Sequence, residues 1–336
     1  MNILLTSAGR RTYIVEYFKN ALEGKGLVHA ANSDWSTALE LADKAVITPE
    51  IYNNTYINFL IEYCEKNSIQ AIIPLFDIDL PVLAKAIDRF EEIGVTVIVS
   101  KEESIAICND KWETYHFLKK NKINCPKTYI VLKELKQDLK DKNISFPIII
   151  KPRWGMGSIG LNIAHSLEEL DFYYEKVLKD IKNSYLKFES QQKLDQSVLL
   201  QEFISGQEYG LDVINDLNST FLTTVVKKKI SMRAGETDVA QTIQDERLEK
   251  IGRKISHQLK HISNLDVDCF ISENKIYVLE MNCRFGGGYP FSHIAGVNLP
   301  NAIIEWLSDK KTKSDYFNYK FNIKSAKTLD MIVLSN

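Results

Sequence analysis

Short apolar runs alternate with amphipathic segments over roughly the first 100 residues, and this alternation restricts the fold more than any other feature of the chain. Strands that are interleaved with helices pair in parallel and form a layered α/β sheet. The apolar runs that we interpret as buried strands are residues 3–5, 28–30, 45–47, 71–74 and 95–99. The amphipathic segments between them are residues 12–22, 56–64 and 81–93. We therefore predict a Rossmann-like α/β domain over residues 1–108.

The pattern changes after residue 108, where helices and strands no longer alternate regularly. A strand at 147–151 leads into a glycine-rich loop, and a long helical segment follows it. Strands of antiparallel type and a last hairpin at 267–282 occupy much of the remainder. The pattern of this half predicts an α+β architecture. We divide this part of the chain into two subdomains, residues 109–195 and 196–336.

Composition excludes several classes of function. The 336 residues carry 42 Lys and Arg against 44 Asp and Glu, a net charge of −2, so no basic surface for nucleic acid or for an anionic membrane is expected. The five cysteines show no metal or redox spacing, and we expect reduced thiols in a cytoplasmic protein. Neither a signal peptide nor an apolar stretch of membrane-spanning length is expected. Small molecules are the predicted substrates.

Two loops follow strands of the first domain, at the sheet edge where open α/β folds bind ligands. The loop from Thr6 to Arg11 has a single glycine and does not match the dinucleotide-binding fingerprint. Its paired arginines, Arg10 and Arg11, either hold an anion or start a solvated helix. In the second loop, Asp79 is expected to cap the following helix, which leaves Asp77 as the functional candidate.

A strand that ends in Lys151 precedes the glycine-rich loop. Glycines allow backbone N–H groups to approach phosphate oxygens, and a lysine adds a positive charge. The order differs from that of a Walker A loop, where the lysine follows the glycines. A glycine-bearing turn beside a surface lysine is the simpler alternative. The candidate phosphate-binding residues of this segment are Lys151, Gly155, Gly157 and Ser158.

The last hairpin gathers polar side chains on one face. Glu280, Asn282 and Arg284 alternate with apolar residues, so they project together. Carboxylate and amide oxygens are ligands that Mg²⁺ prefers. Asp268 shares this face only if the strands pair residues of equal parity, and we therefore predict a three-residue loop at 273–275, which places Asp268 opposite Glu280. A solvated polar face is the alternative reading.

A further strand runs into a short linker and a second carboxylate. Backbone groups of such a linker can bind the edge of an adenine ring, and Glu208 can accept hydrogen bonds from ribose hydroxyls. A plain hairpin explains the pattern nearly as well. The candidates here are Gln201, Glu202, Phe203, Ile204 and Glu208.

Taken in order, these motifs resemble the ATP-grasp enzymes. The chain also resembles, nearly end to end, the stand-alone proteins similar to the carbamoyl phosphate synthetase large subunit, which share an opening like that of Thr6 to Arg11 and a segment like that of Ile73 to Asp77. One departure is Cys283, where family members usually have proline. The segments that carry the ATP-grasp resemblance are 109–111, Lys151 with its glycine loop, 201–204 with Glu208, and 280–284.

The resemblance implies ATP and Mg²⁺ as cofactors. Lys111 and Lys151 would hold the phosphates, Glu202 and the nearby backbone the adenine, and Glu208 the ribose. Asp268, Glu280 and Asn282 would bind magnesium, with Arg284 on an acyl phosphate. Lys229 and Arg233, in a basic segment, either face the substrates or lie on a solvated edge. His293 lies on an expected substrate loop and receives no role.

The expected activity is ATP-dependent joining of a carboxylate and an amine through an acyl phosphate, with release of ADP and phosphate. Carbamoyl phosphate chemistry is the first alternative, and a nucleotide-binding regulator without catalysis is the second. The resemblance to this family also implies a homodimer formed through the first domain.

Overall fold

The first part of the chain forms a five-stranded sheet in a computed structural model, which describes residues 1–155, 160–191, 193–310 and 312–335. Its strands are β1 (Asn2–Thr6), β2 (Val28–Asn32), β3 (Lys44–Ile47), β4 (Ile69–Pro74) and β5 (Thr96–Val97). The helices between them are α1 (Thr12–Leu22), α2 (Thr37–Leu41), α3 (Tyr56–Asn67), α4 (Asp79–Ala84) and α5 (Ile87–Glu91). All pairings are parallel and the order is β3-β2-β1-β4-β5, which confirms the Rossmann-like prediction.

The loops after β1 and β4 meet at the point where the strand order reverses. Asp79 lies between them, fully buried, and is not the helix cap that the sequence suggested. Its carboxylate instead accepts hydrogen bonds from Thr6 Oγ1 at 2.5 Å, Ser7 Oγ at 3.0 Å and Tyr56 OH at 2.8 Å. Burial raises the pKa of this carboxyl group. The prediction of a cap was wrong because three hydroxyl donors at the switch point compete for the carboxylate.

The middle part begins with helices α6 (Glu102–Asn109) and α7 (Lys111–Lys120) and forms a four-stranded antiparallel sheet in the order β6-β9-β7-β8. Its other elements are β6 (Thr128–Tyr129), α8 (Leu132–Lys140), β7 (Ile148–Pro152), β8 (Asn162–Ala164), α9 (Leu167–Lys182), α10 (Leu186–Ser190) and β9 (Val198–Glu202). Because β9 pairs with β7 from Ile148 to Pro152, this sheet continues beyond residue 195. We therefore propose a subdomain boundary after residue 202.

The last part forms a six-stranded antiparallel sheet in the order β14-β13-β10-β11-β12-β15. Its elements are β10 (Gln207–Asn215), β11 (Phe221–Arg233), β12 (Glu236–Ile243), α11 (Glu246–Leu259), β13 (Ser263–Ser272), β14 (Lys275–Asn282), α12 (Tyr289–Ile294), α13 (Leu299–Trp306) and β15 (Lys324–Ala326). One face is apolar and packs in the same core as α11, whereas the other face carries charged side chains. Alternation along each strand produces this division.

The predicted length of the β13–β14 loop is wrong, although Asp268 does lie opposite Glu280 as expected. Ser272 pairs with Lys275, so the turn contains only two residues, Glu273 and Asn274, both with positive φ. A two-residue turn alone would put Asp268 and Glu280 on opposite faces. A register shift between Asp268 and Cys269, where Cys269 pairs with Val278, restores the alignment, and Asp268 lies opposite Glu280. The extra residue of a β-bulge therefore aligns Asp268 with Glu280, an effect that we had expected from a three-residue turn.

The third sheet and its helices pack against the first domain. Phe285, Tyr289 and Leu299 share a core with Ile14 and Phe18 of α1. This contact brings the loops after β1 and β4 next to the charged face of the third sheet. Among the described residues, no helix is both long and apolar enough to cross a membrane.

Candidate active site

Two lysines and one glutamate, from helix α7 and strands β7 and β14, converge on a cleft. Lys111 Nζ lies 3.9 Å from Glu280 Oε2 and donates a hydrogen bond to the carbonyl of Gly155. Lys151 Nζ donates to Gln201 Oε1 at 2.9 Å. Burial lowers the pKa of Lys151 to about 8, and the opposing charge of Glu280 does not compensate. The lysines predicted from separate motifs therefore face one carboxylate.

Glu280 is the electrostatic centre of this cleft. Burial alone would raise its pKa, but the ammonium groups of Lys111, Lys151 and Lys229 outweigh burial and lower it. A carboxylate that stays ionised among cations can bind a divalent ion without first releasing a proton. The cavity beside it is lined by Asp77, Ile78, Cys108, Asn109, Lys111, Trp154, Gly155, Leu186, Glu189, Glu280 and Asn282.

A buried ion pair that the sequence reasoning missed positions both lysines. Arg153 is 1% exposed and binds Asp110 with two hydrogen bonds, Nε to Oδ1 at 2.7 Å and Nη2 to Oδ2 at 2.6 Å. The Asp110 carboxylate also caps α7 by accepting from the backbone N–H of Trp112. Lys111 and Lys151 are chain neighbours of this pair, so the pair fixes the start of α7 relative to the end of β7. The only sign of this pair in the sequence is an arginine two residues after Lys151. Such an arginine is too common to indicate that Asp110 is its partner.

The three predicted magnesium ligands lie on one face of the hairpin. Asp268 pairs with Glu280 across the strands, and Asn282 pairs with Asp266. Burial raises the pKa of Asp268 to about 6, against the effect of an ion pair of 2.6 Å with Lys229.

These donors fit magnesium, since all are hard oxygen ligands. The described residues nevertheless contain no group of three or more His, Cys, Asp or Glu side chains already arranged for a metal. Lys229 contacts Oδ1 of Asp268, whereas Lys111 lies 3.9 Å from Glu280, and the binding of magnesium by Asp268, Glu280 and Asn282 stays a prediction.

Lys229 and Arg233 differ in position, although both come from one basic segment of β11. The Lys229 ammonium bridges two carboxylates, Glu208 Oε1 at 2.7 Å and Asp268 Oδ1 at 2.6 Å. Those two carboxylates raise its pKa above the ordinary value despite burial. Arg233 is exposed at the tip of the β11–β12 hairpin, where it pairs with Asp238. No contact among the described residues joins Arg233 to the cleft.

Arg284 is held by two carboxylates. Its Nε and Nη2 donate to Asp77 Oδ2 at 3.1 and 2.9 Å, and its Nη1 donates to Asp266 Oδ2 at 3.0 Å. Burial lowers the pKa of an arginine, but the two carboxylates outweigh it and raise that of Arg284. The Asp77 contact joins the first domain to the third sheet. Asp266 was not recognised, because its role depends on cross-strand pairing.

The predicted nucleotide-base residues lie along the end of β9 and the linker after it. The Gln201 side chain is buried and accepts a hydrogen bond from Lys151. Glu202 Oε2 accepts from the backbone N–H of Lys127 at 2.9 Å. Phe203 is exposed and Ile204 is half-buried, whereas Glu208 is engaged by Lys229. Their contacts with ATP stay a prediction.

Several other residues from the sequence reasoning lie at the edge of the cleft or outside the described part of the chain. Gly155 is described and has φ of 137°, whereas Gly157 and Ser158 fall outside the described residues. His293 stacks on Tyr17 with ring centroids 3.6 Å apart, which indicates a packing role.

Arg11 lies at the start of α1, near Arg284. Burial, and then the charge of Arg284, lower the pKa of Arg11. Among the described residues no carboxylate lies within ion-pair distance of its guanidinium, whereas Asp77 and Glu236 act on it from farther away. The neighbouring guanidinium groups of Arg11 and Arg284 therefore form a suitable binding site for an anion.

Two family models match the chain. The model described as "ATP-grasp domain" matches residues 108–288, and the model described as "PylC-like, N-terminal domain" matches residues 3–98. Among curated relatives, a "Carbamoyl-phosphate synthase" of Methanobrevibacter smithii is 21% identical over 325 residues, which cover 91% of this chain and 81% of the relative. The "Carbamoyl phosphate synthase arginine-specific large chain" of Bacillus subtilis is 23% identical over 276 residues, 78% of this chain. That match covers only 24% of the large chain's length.

Solved structures share the fold. Biotin carboxylase from Campylobacter jejuni superposes with a TM-score of 0.74 at 14% identity, covering 96% of this chain and 74% of that one. L-amino acid ligase from Bacillus licheniformis gives a TM-score of 0.70 at 16% identity, covering 93% and 78%. These likenesses support the three-part architecture and leave the substrates open.

Proposed function

Because the chain belongs to the ATP-grasp family, whose domain model covers more than half of it, we propose that it is an ATP-dependent ligase that joins a carboxylate to an amine. The observation that carries the proposal is the convergence of the Lys111 and Lys151 ammonium groups on Glu280. Asn282 also lines the cavity beside them, and Arg284 is held by Asp77 of the same lining. Three cations beside hard oxygen ligands suit a triphosphate with its magnesium.

In the proposed reaction, a carboxylate oxygen of the substrate attacks the γ-phosphorus of ATP, and ADP leaves. The neutral amine nitrogen then attacks the carbonyl carbon of the acyl phosphate, the carbon–oxygen bond to phosphate breaks, and phosphate leaves with the proton that the nitrogen loses. Lys111 and Lys151 neutralise the phosphate oxygens, and Arg284 neutralises the acyl phosphate. These residues act by position and charge, with no covalent intermediate on a side chain.

Magnesium, bound through Glu280 and Asn282, would neutralise the charge that builds on the transferred phosphoryl group. Asp268 would be a further ligand if Lys229 moved from it to a phosphate oxygen. Arg11 lies near Arg284 and has no carboxylate within ion-pair distance in the described part of the chain, so the carboxylate substrate is proposed to bind beside these two guanidinium groups. The base of ATP is proposed to bind along residues 201–204, with Glu208 at the ribose.

The test is release of ADP from ATP, screened against a matrix of carboxylates and amines. We expect ADP and phosphate, without AMP, only when both substrates are present. Glu280→Gln should lower this rate by at least about 100-fold, since it removes a magnesium ligand and a charge. Glu273→Gln, in the exposed turn of the same hairpin, is the matched control and should keep the wild-type rate.

Two other results would point elsewhere. ADP release that needs carbamate but no amine would support carbamoyl phosphate chemistry. Tight ATP binding without phosphate release for any carboxylate would contradict the ligase proposal. A cytoplasmic location and a homodimer formed through the first domain stay predictions.

A further inference from the structure

Two buried acceptor oxygens on the wall of the cavity have no hydrogen-bond partner among the described residues, Asp77 Oδ1 and Asn109 Oδ1. Asp77 is only 6% exposed. A buried acceptor that is left without a donor costs about 1–3 kcal/mol, so native structures rarely keep one without a reason. Two such atoms on one cavity wall indicate a ligand that donates hydrogen bonds to both.

The remaining contacts of the two side chains fix which atoms stay available. The other oxygen of Asp77, Oδ2, is used by Arg284. Asn109 Nδ2 donates to the backbone carbonyl of Asp77 at 2.8 Å, a bond that only the amide nitrogen can make. The amide oxygen of Asn109 is therefore the free atom, and both side chains are held in place before a ligand arrives.

The surroundings define the chemistry of that ligand. Glu189 adds a further carboxylate to the lining, and Trp154 and Leu186 add apolar walls. A carboxylate or phosphate at these oxygens would be repelled, whereas a nitrogen with two or three N–H bonds would satisfy both. Glu280, Asn282 and Lys111 line the same cavity, so a nitrogen there lies beside the metal and phosphate end of the cleft.

We infer that Asp77 and Asn109 form the binding site for the nitrogen of the amine substrate, which is a primary amine or ammonia that donates one hydrogen bond to each Oδ1 atom. This inference rests on the proposed ligase function and adds to it the position and class of the nucleophile. Asp77 has two tasks, since one oxygen positions Arg284 and the other positions the amine.

A comparison of amine transfer with acyl-phosphate formation tests the site. Ammonium chloride is the amine probe, and the reference is carboxylate-dependent positional isotope exchange in ATP, which reports acyl-phosphate formation and needs no amine. Asp77→Asn keeps an oxygen for Arg284 and places an NH₂ group where Oδ1 stands. We expect the ratio of kcat/KM for ammonium to the rate of isotope exchange to fall at least 30-fold in this variant.

A second variant separates the amine site from the support of Arg284. Asn109→Ala removes one acceptor without touching Arg284, and we expect the same ratio to fall at least fivefold. A ratio that stays at the wild-type value in both variants, or rates that fall equally for amine transfer and for isotope exchange, overturns the inference. A general structural defect lowers both rates together and so cannot imitate the expected result.

A crystallographic measurement decides the inference independently of turnover. Crystals of the full chain are soaked with ethylammonium chloride, a non-hydrolysable ATP analogue and Mn²⁺ in place of Mg²⁺. We expect density without an anomalous signal, about 2.7–3.2 Å from both Oδ1 atoms, that is lost in Asp77→Asn. An anomalous peak at Asp77 Oδ1, or only water at saturating amine, overturns the inference. Absence of isotope exchange in the wild type with every carboxylate contradicts the ligase proposal instead.

Discussion

Arg153 and Asp110 form a two-bond ion pair in the interior, and this pair fastens the strand that carries Lys151 to the helix that begins at Lys111. Lys111 and Lys151 lie 40 positions apart in the chain, and neither contacts the other directly among the described residues. Their common orientation toward Glu280 therefore depends on the ion pair between Asp110, which precedes Lys111, and Arg153, which follows Lys151 by two residues. The pair is a structural support whose loss affects both the fold and the nucleotide site.

Arg153→Met should destabilise the protein by about 3–5 kcal/mol, because it leaves the buried Asp110 carboxylate without its partner. Urea unfolding measures this loss, and calorimetric titration with a non-hydrolysable ATP analogue should show weaker binding. Lys136→Met, which breaks the exposed ion pair with Asp171, is the control and should cost under about 1 kcal/mol. Equal stability of the two variants would contradict a supporting role for the pair.

Gly286→Ala should impair the reaction through Arg284. A Cβ atom at Gly286 would lie 2.2 Å from Cγ of Asp266, too close for any side chain, so the carboxylate that holds Arg284 must move. We expect kcat/KM to fall at least tenfold, equivalent to about 1.4 kcal/mol of transition-state stabilisation.

Gly287→Ala is the matched control for that substitution. There the nearest atom to an added Cβ is a Glu236 oxygen at 3.6 Å, an ordinary contact, and activity should stay near the wild-type value. Similar losses in both variants would indicate that the loop tolerates no side chain at all, whatever the position of Asp266.

Nucleotide affinity should decrease as the pH rises above 8. The pKa of Lys151 is about 8 in the free protein because burial disfavours its charge, so it loses its proton above that value. A bound triphosphate favours the charged form, and binding near pH 8.5 should therefore take up protons. Calorimetric titrations of the ATP analogue in two buffers of different ionisation enthalpy measure that uptake. Lys151→Arg stays charged in this range and should show less pH dependence; an equal dependence would exclude Lys151 as its cause.

The protein should lose stability in acid through His261. This side chain is fully buried and donates from Nε2 to the carbonyl of Val213 at 3.0 Å, and burial lowers its pKa from 6.5 to about 4. The unfolded chain binds more protons between these values, so the free energy of unfolding falls as the pH drops from 6.5 toward 4, by up to about 1.4 kcal/mol per pH unit.

Urea unfolding at pH 7 and pH 4.5 measures the acid effect. His261→Gln has no imidazole to protonate and should lose less stability between the two pH values than the wild type. His116→Gln, at an exposed position of α7, is the control. An unchanged difference in His261→Gln would assign the acid lability to other groups, of which His29, with a pKa lowered by burial to about 4, is the first to examine.

Local pattern was enough to predict the strands and helices of the first domain and the hairpin with Glu280 and Asn282, because alternation and helical periodicity act over a few residues. It failed at Asp79, because this expected capping residue accepts hydrogen bonds from three hydroxyl groups, which belong to β1, to the loop after β1 and to α3. It also failed at the turn after Ser272. Asp268 and Glu280 can share one face of the hairpin through either a longer turn or a β-bulge, and no short-range sequence signal distinguishes these two solutions.

The amino-acid sequence by itself determined the alternation of elements, the order of the motifs and the chemical types of the ligands, since these depend on residue identity and spacing alone. Only the tertiary structure decided which charges meet: Arg153 with Asp110, Lys229 with Glu208 and Asp268, and Arg284 with Asp77 and Asp266. Such pairs join residues up to 207 positions apart. Their energies depend on distance and burial in space, and neither quantity is encoded in local spacing.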